Sequence, residues 1–152
     1  MVKAKIGDMA SDFTLLSNTG ENITLSQFLG KNNVVIFFYP MDESPVCSRE
    51  AEAFRDKYKT FKELDAEVIG ISSQSVESHK SFASHHNLPY ILLSDTDNNV
   101  RKLYGISATL GVVPGRVTFV INKEGIIKHI FSSQFRPAKH SEEALRALLR
   151  NR

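Results

Sequence analysis

The feature that most constrains this chain is an alternation of two hydrophobic periods. Short runs of β-branched and aromatic residues recur between longer stretches in which apolar residues return every three or four positions. Val34-Val35-Ile36-Phe37-Phe38-Tyr39 and Glu67-Val68-Ile69-Gly70-Ile71-Ser72 read as central strands, because an apolar run without a polar face suits a sheet covered on both sides. Pro45 to Leu64 reads as one helix whose buried stripe is Phe54, Tyr58, Phe61 and Leu64. Val76 to His86 and Asn99 to Tyr104 read as further helices, the first ended near Asn87 and Pro89 and the second closed by Gly105.

Turn chemistry supplies the remaining elements. Asp12 to Leu15 and Asn22 to Thr24 flank Asn18-Thr19-Gly20 as a small N-terminal hairpin, and Tyr90 to Leu93 is a short strand. Val117 to Ile121 and Ile126 to Phe131 form a second hairpin across Asn122-Lys123-Glu124-Gly125. Ser141 is the expected cap of a final helix, with Glu142 and Glu143 in its first turn. The order ββ, β-α-β-α-β-α, β-β-α predicts an α/β fold resembling a thioredoxin-like sandwich with an N-terminal β-hairpin extension.

A chain of 152 residues fits one domain spanning 1–152. Its 19 Lys and Arg are spread along the chain against 17 Asp and Glu, which argues against a nucleic-acid partner. The longest apolar stretch, Val34 to Tyr39, is too short to span a bilayer, and the N-terminus shows no apolar signal-peptide core, so no membrane association is expected. One cysteine permits no internal disulfide and suits a reducing, cytoplasmic environment; a mature organellar form reads the same way.

That cysteine carries the chemistry. In Ser44-Pro45-Val46-Cys47, Ser44 reads as a helix N-cap and Pro45 as the first helical residue, since its missing N–H would have had no partner there. Cys47 then falls in the first turn, where free backbone N–H groups and the helix dipole favour thiolate. A thiol of ordinary acidity is only a few per cent ionised at pH 7, and the helix alone does not change that enough. An arginine beside the sulfur would, and Arg116, just after Pro114-Gly115 at a predicted strand entrance, is the candidate by position. A buried, inert cysteine is the competing reading of the residues alone.

The segment Phe38-Tyr39-Pro40-Met41-Asp42-Glu43-Ser44-Pro45-Val46-Cys47, followed by Arg49-Glu50, resembles the active-site segment of the peroxiredoxin Q, or bacterioferritin comigratory protein, subfamily of peroxiredoxins. The likeness continues through Leu92-Leu93-Ser94-Asp95, Pro114-Gly115-Arg116-Val117-Thr118-Phe119 and Gln134-Phe135-Arg136-Pro137, so it covers nearly the whole chain. The resemblance implies that Cys47 attacks a hydroperoxide and becomes a sulfenic acid, that Ser44 hydrogen-bonds thiolate and peroxide, that Arg116 stabilises developing charge, and that Pro40 shields the site. It implies hydrogen peroxide and organic hydroperoxides as substrates, no cofactor and no metal, and a monomer or weak homodimer. Two departures stand out: Ser44 replaces the subfamily's usual Thr, and Glu52 occupies a position where many members carry a resolving cysteine. With no second cysteine, the expected reductant is an external thiol such as thioredoxin, glutaredoxin or glutathione. A redox-sensing or holdase-like interaction protein is the alternative on the same fold.

Other signals are weaker. His79, His85 and His86 lack an evident third metal ligand and read as solvated helix histidines. Gly111 to Gly115 lacks a phosphate-loop pattern. Phe135-Arg136-Pro137 reads as an exposed turn without chemistry.

Overall fold

Each run expected to be a strand forms one within two residues of its expected bounds in the computed structural model, which describes residues 4–106 and 115–151. They are β1 (Thr14–Ser17), β2 (Asn22–Thr24), β3 (Asn33–Phe38), β4 (Ala66–Ser72), β5 (Ile91–Ser94), β6 (Val117–Ile121) and β7 (Ile127–Ser132). The helices are α1 (Pro45–Asp56), α2 (Tyr58–Glu63), α3 (Val76–His85), α4 (Asn99–Leu103) and α5 (Pro137–Arg150). The strands form one sheet in the order β2-β1-β5-β4-β3-β6-β7. Strand β3 runs parallel to β4 and antiparallel to β6, and β4 runs parallel to β5. The N-terminal hairpin joins the edge of the same sheet through β1 and β5.

Alternation along β3 explains its unbroken apolar sequence. Val35, Phe37 and Tyr39 pack into one core with α1, α3 and α5, through Phe54, Phe82 and Ala144. Val34, Ile36 and Phe38 face the other core, with Val100 of α4 and Tyr104 just beyond its end. Both faces are covered, so neither can be polar. Phe37 stacks on Phe54 with ring centroids 4.4 Å apart, which fixes α1 above the end of β3. Gly70 of β4 lies under this aromatic layer; a Cβ there would meet Leu92 Cδ2 at 2.7 Å and Phe37 Cζ at 2.9 Å.

Two expectations need correction. The helix from Pro45 to Leu64 is broken at Lys57, whose φ of −104° and ψ of 2° interrupt the regular geometry. The break lets Phe61 reach the core while Tyr58 Oη and Lys62 Nζ both donate to Glu67 on β4, at 3.0 and 2.6 Å. The last helix starts at Pro137, not after Ser141. Pro137 takes the N1 position, as Pro45 does in α1, and Ser141 is buried inside the helix with its hydroxyl donating to the Ala138 carbonyl. Glu143 consequently lies beyond the first turn, paired with His129 and Arg146. Pro114 and the segment 111–114 lie outside the described residues, as do residues 1–3. Among the described residues no helix is long and apolar enough to cross a membrane.

Candidate active site

Strand pairing assembles the site. Phe38, the last residue of β3, lies opposite Val117, the first of β6, so the chain just after β3 and the chain just before β6 meet at one end of the sheet. The loop leaving β3 carries Pro40 and leads into α1, and the residue entering β6 is Arg116.

The expected cap is present. Ser44 is the N-cap of α1, Pro45 follows it, and the Ser44 Oγ accepts the Cys47 N–H at 3.2 Å. That bond uses an acceptor lone pair and leaves the hydroxyl proton able to donate elsewhere. Cys47 is 1% exposed, and its sulfur accepts from Arg116 Nη1 at 3.4 Å. The arginine is thus not the surface ion pair that is the default for such a residue. It is 3% exposed, donates Nη1 to Glu50 Oε1 at 2.6 Å and donates Nε to the Gln134 carbonyl at 3.0 Å. Burial pulls the Arg116 pKa down, but Glu50 and Cys47 push it back above its ordinary value, so it stays charged. Pro40 is half-buried at the end of β3.

Several supporting residues were not anticipated. Arg101, buried on α4, donates to the Gly115 carbonyl at 2.6 Å and to the Tyr39 carbonyl at 3.2 Å, the peptide groups that immediately precede Arg116 and Pro40. Burial lowers its pKa to about 10, which leaves it charged at neutral pH. Asp42 anchors the loop: it accepts from Tyr39 Oη at 2.6 Å, Ser78 Oγ at 2.7 Å and His79 Nδ1 at 2.7 Å. Burial raises the Asp42 pKa, but these donors outweigh it and hold the carboxyl below its usual range. His79 is therefore a fully buried structural partner, not the solvated residue expected from its helix. Phe135 is 79% exposed as expected, yet its turn contributes the Gln134 carbonyl that orients Arg116.

Glu50 is the group whose role sequence reading missed most clearly. It stands three residues after Cys47, on the same helical face, and is completely buried between Arg116 and His140. His140 Nε2 donates to the Ser133 carbonyl at 2.8 Å, so Nδ1 accepts from Thr118 Oγ1, also at 2.8 Å. Burial pushes the His140 pKa down to about 4, consistent with that neutral ring. Burial also pushes the Glu50 carboxyl up to about 8, with Arg116 opposing it. A protonated Glu50 leaves the Arg116 charge to the sulfur; an ionised one competes for it.

A pH test follows. Glu50 binds a proton in the folded chain over a range where an ordinary carboxyl near 4.5 has lost it, so its contribution to stability is present below pH 4.5 and is lost as pH rises through about 8. Glu50→Gln keeps an acceptor for Arg116 and removes that titration. Urea unfolding at pH 5 and pH 8 is expected to show a smaller loss of stability across the interval for the variant than for the parent.

A cavity of about 420 Å³ between Asn33, Asp65 and Asn122 lies at the opposite end of β3 and involves none of these groups.

Residues 6–130 match the model of the AhpC/TSA family. The chain belongs to that family. It is 46% identical over 149 residues to chloroplastic peroxiredoxin Q of Suaeda salsa, covering 97% of this chain and 69% of that protein. Chloroplastic peroxiredoxin Q of Arabidopsis thaliana is 48% identical over 147 residues, covering 96% of this chain and 68% of that protein. Among solved structures, peroxidoxin BcpB of Mycobacterium tuberculosis superposes with a TM-score of 0.90 at 37% identity, covering 97% of this chain and 98% of its own. PrxQ of Xylella fastidiosa gives 0.89 at 29% identity, with 97% and 96% covered. The chain is therefore a peroxiredoxin of the peroxiredoxin Q type with a thioredoxin-like fold, an oxidoreductase of the peroxidase class, and its 152 residues include a single cysteine.

Proposed function

We propose that the chain reduces hydrogen peroxide and organic hydroperoxides by a one-cysteine mechanism, with Cys47 as nucleophile and an external thiol as reductant. The observation that carries this reading is the 3.4 Å approach of Arg116 Nη1 to the Cys47 sulfur at the capped start of α1. The thiolate attacks the terminal peroxide oxygen, the S–O bond forms as the O–O bond breaks, and the departing alkoxide or hydroxide takes a proton to leave as alcohol or water. Arg116 stabilises the negative charge on sulfur and on the breaking O–O bond, as preorganised donors do in acyl and phosphoryl transfer. Ser44 donates its one hydroxyl proton to the thiolate or to the bound peroxide, and Pro40 keeps water from the sulfur.

The product is Cys47 sulfenic acid. No second thiol in the chain can condense with it, so a thiol from thioredoxin, glutaredoxin or glutathione attacks the sulfur, releasing water and forming a mixed disulfide that a second thiol resolves. This chemistry requires a reducing compartment, cytoplasmic or organellar, and works in a monomer or a weak homodimer.

Steady-state peroxide consumption with each reductant system tests the reading. Sustained turnover with at least one is expected, together with progressive inactivation when peroxide is in excess and thiol is absent, because an unprotected sulfenic acid proceeds to sulfinic and sulfonic acid. Consumption of one equivalent followed by a stall with all three reductants would favour a redox sensor instead.

A further inference from the structure

The loop that leads into α1 holds a second cluster that the peroxide chemistry does not use. Glu43 sits there with a φ of 64°, a left-handed conformation unusual for a residue with a Cβ. Its carboxylate meets two consecutive histidines at the end of α3: His85 Nδ1 lies 3.0 Å from Oε2 and His86 Nε2 lies 2.9 Å from Oε1. The ligand atoms of Glu43, His85 and His86 all fall within 4.8 Å of one another. The sequence offered two histidines without a third partner; the backbone turn at Glu43 supplies it.

His86 carries the second observation. Its other ring nitrogen, Nδ1, is 2.9 Å from Glu52 Oε2 on α1. Nδ1 is thereby committed as a donor to Glu52, and Nε2, which donates to Glu43 here, is the nitrogen a cation would engage in place of that proton. A carboxylate behind an imidazole, fixing its tautomer and orientation, is the arrangement found behind metal-bound histidines. The ring is also held edge-on against Phe82 at 4.9 Å, and the His86 carbonyl accepts from Arg55 Nη1 at 2.8 Å, so both side chain and backbone are fixed. His85 is exposed on the outer side, which leaves room for water to complete a coordination shell.

We propose that Glu43, His85 and His86 form a binding site for a divalent cation of the zinc class, with Glu52 as the carboxylate that orients His86. Two nitrogens and one carboxylate oxygen suit Zn²⁺ and its borderline neighbours and do not suit Ca²⁺ or Mg²⁺, which favour oxygen. Ligand atoms around a tetrahedral Zn²⁺ stand about 3.4 Å apart, so the two contacts from Glu43 to the histidines need only open by a few tenths of an ångström. Water takes the fourth position. The bound ion ties the residue preceding the Ser44 cap to the end of α3, and thereby clamps the start of the helix that carries Cys47.

The site is independent of the redox role of Cys47, and the test keeps the two apart. Zn²⁺ alone is titrated against a chromophoric chelator, using the reduced parent, Cys47→Ser, His86→Ala, Glu43→Gln and Glu52→Gln. One equivalent is expected to bind to both the parent and Cys47→Ser. Affinity should fall at least about 100-fold in His86→Ala and Glu43→Gln, and about 10-fold in Glu52→Gln, the loss usual for a supporting carboxylate. Histidine ring resonances should shift on Zn²⁺ addition for His85 and His86 and stay fixed for His79, His129 and His140. Far-UV circular dichroism checks that each variant is folded, and the ring resonances of the parent carry the test if one is not. Binding that disappears in Cys47→Ser, binding that survives His86→Ala and Glu43→Gln unchanged, or no Zn²⁺ taken from the chelator would each overturn the proposal.

Discussion

Cys47→Ser protein is expected to consume peroxide no faster than buffer while unfolding within about 1 kcal/mol of the parent. The two side chains differ by one atom, and the hydroxyl can still lie beside the Arg116 guanidinium that now faces the sulfur at 3.4 Å. A retained fold is expected because substitutions that create neither a sizeable cavity nor an unpaired buried charge have small effects. A retained reaction is not, because a serine hydroxyl is far less nucleophilic than a thiolate. The check is peroxide consumption under saturating thiol, paired with a urea melt of the same preparation. Turnover surviving in a folded variant would move the chemistry away from Cys47 altogether.

Arg116→Ala is expected to have the second largest effect, and on two quantities at once. It removes a donor aimed at the Cys47 sulfur, and losing one such donor at a reacting group costs roughly 100- to 1,000-fold in rate. Alkylation of Cys47 should slow as well. The same substitution leaves Glu50 fully buried without its cation. Breaking a buried pair costs about 3–5 kcal/mol when the remaining charge must stay. Glu50 escapes part of that by keeping its proton, since burial already raises it and Arg116 no longer opposes burial. Its folded pKa then lies still further above the unfolded value, so the penalty is small near pH 4.5 and grows as pH rises. Stability and alkylation measured at pH 5, 7 and 8 separate the two effects. Arg116→Lys restores charge without the guanidinium fork that reaches sulfur, Glu50 and the Gln134 carbonyl together, and should recover only part of the rate.

What could be read in advance follows the range over which each interaction acts. The central strands were legible because a strand buried on both faces must be apolar at every position, as in Val34 to Phe38, and the edge hairpins from their turn residues. The Ser44-Pro45-Cys47 start of α1 was legible because capping is settled within four residues. The same local logic was applied at the wrong place for α5, where Pro137 opens the helix and Ser141 lies inside it. Lys57 gives no glycine or proline signal, and its break in the helix comes from the packing of Phe61 and the pull of Glu67 on Tyr58 and Lys62.

Long-range chemistry was far less visible. Arg116 and Cys47 are 69 positions apart, and only their shared sheet end brings them together. Arg101 acts through two carbonyl groups, which have no sequence signature at all. Glu50 was given no role of its own from the sequence; the clue available was its spacing of three from Cys47, which puts both on one face of α1. His79 and His86 looked alike on one helix, yet one is sealed against Asp42 and the other joins Glu43 and Glu52.

Cys47 is expected to be oxidised by peroxide to a species that only an external thiol can rescue. Intact mass spectrometry of reduced protein after one equivalent of hydrogen peroxide, before and after adding excess thioredoxin or glutathione, tests it most directly. The expected result is a gain of one oxygen, located on Cys47 by peptide mapping, that thiol removes by way of a mixed disulfide. A chain that remains unmodified while peroxide disappears, or that gains its oxygen on a methionine with Cys47 still free, would contradict it.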